Sequence, residues 1–240
     1  MNDLFAVLRR WLSALLGIVF PRCCTVCRCV LGGDNETYLC ADCLRELPRT
    51  RFHRRRDNPM RKSVESGAPV VKAAAFYYYS AESPYAELVR QLKYQGEQWL
   101  GIALGKLIAA ELSADSDFFM GIDLVVPVPL HPIRKRRRGY NQSECLAKGL
   151  SERLNVPMER DAVIRVRNTE TQTSKTREQR FINMLDAFRV SQPARLAGKH
   201  ILLVDDVWTT GSTVNACMRA LRSVERISIT VLTLACARRD

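Results

Sequence analysis

Apolar residues recur along this chain in distinct rhythms, and each rhythm predicts its own element. Leu4, Leu8, Trp11, Leu12, Leu15 and Val19 are spaced by three and four residues, which predicts an amphipathic helix. Val71 to Tyr79 is a near-continuous apolar run rich in aromatics and suits a strand. Ser83-Pro84 then supplies a cap and a first-turn proline for a helix striped by Tyr85, Leu88, Val89 and Leu92, with Gly96 fitting its end. A second helix follows, striped by Trp99, Leu100, Ala103, Leu104, Leu107, Ile108 and Leu112. The run from Asp123 to Pro132 reads as a strand that stops at its prolines, since a central strand cannot spare those amides. Asn141, with Glu144 three residues on, makes a capping box for a helix striped by Cys145, Leu146, Gly149, Leu150 and Leu154. Ala162 to Val166 and Asp186 to Val190 suit strands. A buried strand from Ile201, a helix striped by Val214, Cys217, Met218 and Leu221, and a last strand from Ile227 to Ala235 complete the pattern. Strands alternating with helices predict an α/β fold.

Three stretches stand outside that alternation. Residues 1–48 hold the first helix and six cysteines, residues 49–69 read as a basic linker, and residues 70–240 form the α/β domain. Trp11 to Phe20 is nearly apolar and follows Arg9 and Arg10 as in a signal peptide, but no small-residue cleavage site succeeds it and the run is too short to span a bilayer. We read it as packing on the protein or on a partner, with attachment to a membrane surface as the alternative. The expected location is therefore cytoplasmic, peripheral to the inner membrane in that alternative. The linker carries Arg49, Arg51, Arg54, Arg55, Arg56, Arg61 and Lys62 with few apolar residues. A solvated charge run is the simpler reading, and a nucleic-acid contact the sharper one.

Cys24-x-x-Cys27 and Cys40-x-x-Cys43 are two tight knuckles with a turn between them supplied by Gly32, Gly33, Asp34 and Asn35. Two such pairs close a tetrahedral zinc site, and four protein thiolates leave no open position, so the metal is expected to be structural. Cys23 and Cys29 stand beside the knuckles as alternative ligands.

The most informative stretch is Ile201 to Thr213. Four apolar residues run into Asp205 and Asp206, and then into a small, hydroxyl-rich turn that opens a helix. In an open α/β sheet the ligand sits beyond the carboxyl ends of the strands, so this turn lies where a ligand would be. Gly211 lets the backbone approach closely, the amides from Thr210 to Thr213 can converge on a phosphate, and the helix N-terminus favours negative charge. The two acids would repel that phosphate, so they must face ribose hydroxyls, magnesium or both. A phosphorylated sugar satisfies the acid pair and the anion loop together. A Walker A loop is excluded, because no Gly-Lys-Ser/Thr follows the turn.

Charge and length support this picture. The 240 residues suit one ordinary α/β domain with a small appendage, and Lys+Arg 37 against Asp+Glu 25 gives a net charge of +12, which favours a polyanionic partner. Arg134, Lys135, Arg136, Arg137 and Arg138 form a run expected in a loop, where self-repulsion calls for an anionic partner. The polar stretch from Arg167 to Arg180 is long for a connection and reads as a lid.

Val204 to Thr213 resembles the phosphoribosyl-diphosphate (PRPP) signature of type I phosphoribosyltransferases. Together with Pro127-Val-Pro-Leu-His131, Arg138-Gly-Tyr-Asn-Gln142 and the cysteine knuckles, it identifies the chain as similar to the ComF (ComFC, GntX-like) family. The resemblance implies a type I phosphoribosyltransferase fold, with a central mainly parallel sheet and flanking helices, joined to a small N-terminal zinc module of four cysteines. It implies PRPP as ligand or substrate with magnesium. Asp205, Asp206 and Arg138 are then the catalytic positions, while Thr209, Thr210, Gly211, Ser212 and Thr213 grip the 5-phosphate. Val128, Pro129 and Leu130 form the diphosphate loop, and Gln172, Arg180 and Asn183 belong to the lid. By the same resemblance the protein takes part in natural transformation, handling incoming single-stranded DNA, with a DNA-uptake or helicase-like protein as a further partner class. The alternative is an active glycosyltransferase moving phosphoribose to an unidentified acceptor. Thr209 stands where transferases of 6-oxopurines carry an acid, and a threonine cannot serve as base near neutral pH.

Overall fold

The computed structural model describes residues 21–32, 38–65, 67–94, 96–167 and 187–237. The expected helix over Leu4 to Val19, the turn residues Gly33 to Asn35 and the lid positions Gln172, Arg180 and Asn183 lie outside the described residues. The chain divides into two units, Met1–Leu47 and Pro48–Asp240.

In the first unit the two knuckles have different frames. Around Cys24 the chain folds back on itself, with Cys23 bridged to Val30 and the Cys24 amide donating to the Cys29 carbonyl at 2.8 Å. Arg28 takes the left-handed conformation that the reversal requires, at φ 65°. The second knuckle opens helix α1, Ala41–Glu46, where the Cys40 thiol occupies the cap and accepts from the Cys43 amide at 3.4 Å.

The second unit is built on a four-stranded, all-parallel sheet in the order β1-β6-β5-β2, with β1 Val70–Tyr79, β2 Leu124–Pro127, β5 His200–Trp208 and β6 Ser228–Ala237. Ile201, Leu202 and Leu203 are fully buried at its centre, as the unbroken apolar run requires of a strand covered on both faces. β2 lies at an edge of the sheet, and this explains why Pro127 remains within the ladder, opposite Val204, instead of ending the strand before it. β3 Val163–Arg165 and β4 Phe188–Val190 pair antiparallel in a separate small sheet.

Helix α2, Pro59–Lys62, precedes β1. α3, Ala86–Tyr94, buries Leu88, Val89 and Leu92 as expected. α4, Gln98–Asp115, buries Leu100, Leu104, Ile108 and Leu112, but Trp99 is turned out and is 69% exposed. α5, Pro132–Arg138, corrects the expectation of a basic loop. Pro132 starts this helix, His131 Nδ1 accepts from the Ile133 amide at 3.3 Å, and the four cations of its last turn meet the negative end of the helix dipole. Gly139, at φ 82°, closes it in a left-handed conformation.

α6, Gln142–Leu154, packs over β2 and β5 and against α4. The two helices touch backbone to backbone: a Cβ added at Gly149 would run into the Ile102 carbonyl, and one added at Gly105 into the Leu146 carbonyl. Short α7, Pro193–Leu196, leads into β5, and α8, Ser212–Leu221, joins β5 to β6.

The stretch read as a basic linker is packed onto this unit. Arg49 makes a two-pronged ion pair with Glu111 at 2.7 and 2.6 Å, and His53 and Arg54 share Asp115 at 2.9 and 2.6 Å. Asn58, 2% exposed, donates to the carbonyls of Arg55 and Ala73 at 2.9 Å each, and Met60 beside it is buried. The acids that pair with Arg49, His53 and Arg54 sit on α4, about sixty residues away in sequence, whereas Arg51, Arg55 and Arg56 are exposed as a solvated charge run would be.

Candidate functional site

The carboxyl end of β5 opens onto a cleft of about 200 Å³ into which several other parts of the fold converge. Asp205, Asp206 and Val207 come from the strand, and Thr209 and Thr213 from the turn and first residues of α8. Val128, Pro129 and Leu130 come from the loop after β2, Arg134 and Arg138 from α5, and Asn141, Gln142 and Ser143 from the start of α6. Lys93 reaches in from the end of α3 and Arg165 from β3. Four cations face two acids, so the cleft is suited to a ligand with more than one negative charge.

The two acids have different surroundings. Asp205 is buried, and one of its oxygens accepts from the Ser143 hydroxyl and from the Asp206 amide, both at 2.9 Å. Burial, reinforced by the neighbouring Asp206 charge, pushes its pKa up to about 7, although Ser143 and Lys93 act against the shift. Asp206 is turned toward Lys93, whose ammonium lies 3.2 Å from Oδ2, while Oδ1 accepts from the Val207 amide at 2.6 Å. Arg165 is also desolvated, and burial draws its pKa below the ordinary guanidinium value.

Beyond the acids the chain makes the tight turn that opens α8. Gly211 stands at φ 79°, and a Cβ there would strike the Trp208 indole, which lies directly behind the turn. Glycine is thus required twice, by conformation and by contact. The hydroxyls of Thr210 and Ser212 bond each other, and the first amides of the helix have no carbonyl within it to bond. On the facing wall, Asn141 caps α6 through the Ser143 amide at 3.2 Å and donates to the Val128 carbonyl at 3.0 Å, which fixes the loop after β2. Arg138 bonds Gln142 at 2.9 Å and lies 5.6 Å from the centre of the Tyr94 ring.

The expected positions that lie among the described residues surround one cleft. Asp205, Asp206, Arg138, Thr209, Thr213, Val128, Pro129 and Leu130 line the cleft, and Thr210, Gly211 and Ser212 complete the turn between two of its walls. Two groups escaped the sequence reading: Ser143 is hidden inside a capping motif, and Arg165 left only a weak signal, a cation inside an apolar strand. For Lys93, at a helix end, the sequence leaves a place in the site and a solvated position equally open, and the structure puts it in the cleft.

In the first unit the thiols of Cys24, Cys27, Cys40 and Cys43 all lie within 4.8 Å of one another, with Cys27 and Cys40 at 3.7 Å. Tetrahedral metal–thiolate bonds of about 2.3 Å place sulfurs about 3.8 Å apart, so the quartet fits a metal ion. Cys29 lies 3.2 Å from Cys27 just beside this group, and Cys23 points to the Pro21 carbonyl.

A parallel sheet bearing an acid pair and an anion loop at one strand end defines a phosphoribosyltransferase-type domain, and the phosphoribosyl transferase domain family matches residues 140–240. The chain is 34% identical over 193 residues to the DNA utilization protein YhgH of Escherichia coli (strain K12), covering 80% of each. It is 34% identical over 151 residues to Competence protein F of Haemophilus influenzae, covering 61% of this chain and 66% of that one. It is 32% identical over 98 residues to Competence protein ComFC of Bacillus subtilis, covering 41% and 38%. The chain belongs to the ComF family. Among the described residues no helix is long and apolar enough to cross a membrane.

Proposed function

We propose that the cleft binds PRPP with magnesium, and that this protein serves the use of incoming single-stranded DNA during natural transformation. The observation that carries the reading is the pairing, across one cleft, of Asp205 and Asp206 with an anion-gripping turn. Asp206 and Asp205 would take the ribose hydroxyls, the amides and hydroxyls from Thr209 to Thr213 the 5-phosphate, and Arg134, Arg138 and Arg165 the diphosphate. Magnesium, when bound, neutralises diphosphate charge and so eases its departure. The Cys24, Cys27, Cys40 and Cys43 quartet would hold a structural zinc ion, because four thiolates complete its coordination.

The DNA part of the reading is supported by the names of the relatives and by the exposed cations Arg136 and Arg137 on α5. The test is a calorimetric titration of the whole protein with PRPP and magnesium, with and without single-stranded DNA, while diphosphate release is followed. Saturable PRPP binding that weakens about a hundredfold in Asp205→Asn is expected. Wild-type affinity in that variant refutes the site, and steady diphosphate release would add catalysis to binding.

A further inference from the structure

α5 and the start of α6 border two separate hollows. Arg134 and Arg138 of α5 line the cleft, whereas Lys135, on another face of the same helix, lines a cavity of about 310 Å³ that it shares with α4, α6 and the chain before β3. None of the positions assigned to PRPP lies in this second space.

Its floor is apolar and its rim is cationic. Ile102, Tyr140 and Cys145 form a buried cluster beneath it, and the Tyr140 hydroxyl donates to the Leu92 carbonyl at 2.5 Å, which leaves the ring to face the cavity as carbon. Lys135, Lys148 and Arg160 stand against one acid, Glu144. That carboxylate lies 3.3 Å from the Lys135 ammonium and 3.2 Å from the Arg160 guanidinium, and so steadies both while each stays more than half exposed. Three cations and one acid above an apolar floor suit an occupant with a flat uncharged part and an anionic part. The neutral polar groups are few, because the Asn141 side chain is already engaged with the Val128 carbonyl and the Ser143 amide, and only the Gln98 amide is left to read the edge of a ring.

Two large aromatic side chains beside the cavity stand in solvent. Trp99 follows Gln98 and precedes Ile102 by three residues on α4, and both of those line the cavity, so helical spacing sets the indole at its rim. Tyr94, the last residue of α3, is 72% exposed and lies 5.6 Å from the guanidinium of Arg138, the chain neighbour of Gly139 on the rim. Packing within the fold gives neither ring a reason to be there, whereas a nucleobase has a π-face for each to stack on. Positive charge continues along α5 through Arg136 and Arg137, so Lys135, Arg136, Arg137, Lys148 and Arg160 are all exposed in this region. A free mononucleotide would use one ring and one phosphate group; two rings and a row of cations match a strand.

We propose that this cavity seats one unstacked base of single-stranded DNA on its apolar floor, with a neighbouring base on Trp99 and the intervening phosphates on Lys135, Lys148 and Arg160. With Gln98 as the one neutral handle, binding tolerates any base. The inference rests on the DNA part of the functional reading, to which it gives a site, and is independent of PRPP.

The test uses the whole protein and three probes: an oligothymidylate of about twelve nucleotides, the same strand annealed to its complement, and dTMP. Affinity is read by calorimetry, and stacking by quenching of the indole emission that Trp99→Phe removes. The single strand is expected to bind and to quench. Trp99→Ala should weaken it about tenfold, with Trp99→Phe recovering most of the loss, and Lys148→Glu should weaken it by a similar factor and lower the log–log salt slope by about 0.7 or more. PRPP affinity should stay within about twofold in all three variants. Unchanged strand affinity in Trp99→Ala and Lys148→Glu overturns the site and leaves the DNA reading standing, whereas a wild-type protein that binds no strand at all takes both down. A duplex that binds as tightly as the strand without quenching shows charge alone at work and overturns the site. So does dTMP that binds and quenches as well as the strand, which would make the cavity a mononucleotide pocket.

Discussion

The cysteine quartet and the cleft are both tight gatherings of polar side chains, yet they relate to the fold in opposite ways. The quartet draws its four sulfurs from twenty consecutive residues, in a unit with few buried apolar side chains among those described. The cleft draws Lys93, Ser143, Arg165 and Asp205 from four elements that the central sheet and its helices already hold in place. On the proposed reading of the quartet as a structural zinc site it is part of what makes its unit fold, whereas the cleft is lined by elements that the sheet core holds. Stability is a condition of the first site and is partly sacrificed in the second, where Asp205 is kept in surroundings that disfavour its charge.

The sharpest way to break this contrast is at the cysteine quartet. On the proposed zinc reading, Cys24→Ser or Cys43→Ser is expected to unfold the first unit, because structural zinc contributes about 10 kcal/mol or more to such modules. Metal analysis with amide exchange over residues 21–47 checks this, and retained metal with unchanged exchange would equate the two sites.

Asp205→Asn should do the reverse. PRPP affinity is expected to fall about a hundredfold, or roughly 3 kcal/mol, while the domain becomes more stable near neutral pH. The folded-state pKa of Asp205, about 7, lies above the ordinary 3.8, so its stabilising effect is complete below about pH 4 and is lost as pH rises to about 7. Above that range the asparagine removes a cost on the order of a few kcal/mol, readable as a raised melting temperature that vanishes in acid. For the same reason PRPP binding to the wild type should strengthen as pH rises through about 7, where Asp205 ionises. A variant less stable than wild type above pH 7 would show the acid to be structural.

Lys93→Met has a smaller expected effect. It leaves Asp206 without its ammonium partner and takes one cation from the cleft, weakening PRPP by about tenfold with little change in melting temperature. The smallest effect on the cleft comes from Arg136→Ala with Arg137→Ala. PRPP affinity should not move, whereas the salt dependence of single-stranded DNA binding should drop by about 0.7 in log–log slope for each phosphate no longer neutralised. An unchanged slope would remove α5 from the DNA surface.

The sequence disclosed these regions unequally, for a physical reason. The quartet and the phosphate turn are local devices, written within twenty and about ten residues, so spacing and residue type suffice to find them. The alternation of strands and helices was legible through burial of β5 and through the stripes of α3 and α6. Long-range pairing was not. Arg49 and Arg54 looked solvated like their neighbours because Glu111 and Asp115 are distant in sequence, and α5 looked like a loop because its cap, His131, is an unusual one. Trp99 misled in the other direction, completing an apolar stripe by spacing while standing in solvent. Lys93 and Arg165 acquire meaning only when the fold brings them beside the acids.

The glycine seam between α4 and α6 makes the cleft vulnerable from behind. Gly149 lies seven residues from the first residue of α6, roughly 10 Å along its axis, and the other end of that rigid rod carries the hydroxyl bound to Asp205 and the amide that steadies the loop after β2. A single methyl group wedged at the fulcrum would tilt both groups together. Ligand capture could thus be disabled by a neutral exchange that alters no charge, no polar atom and no residue within reach of the ligand.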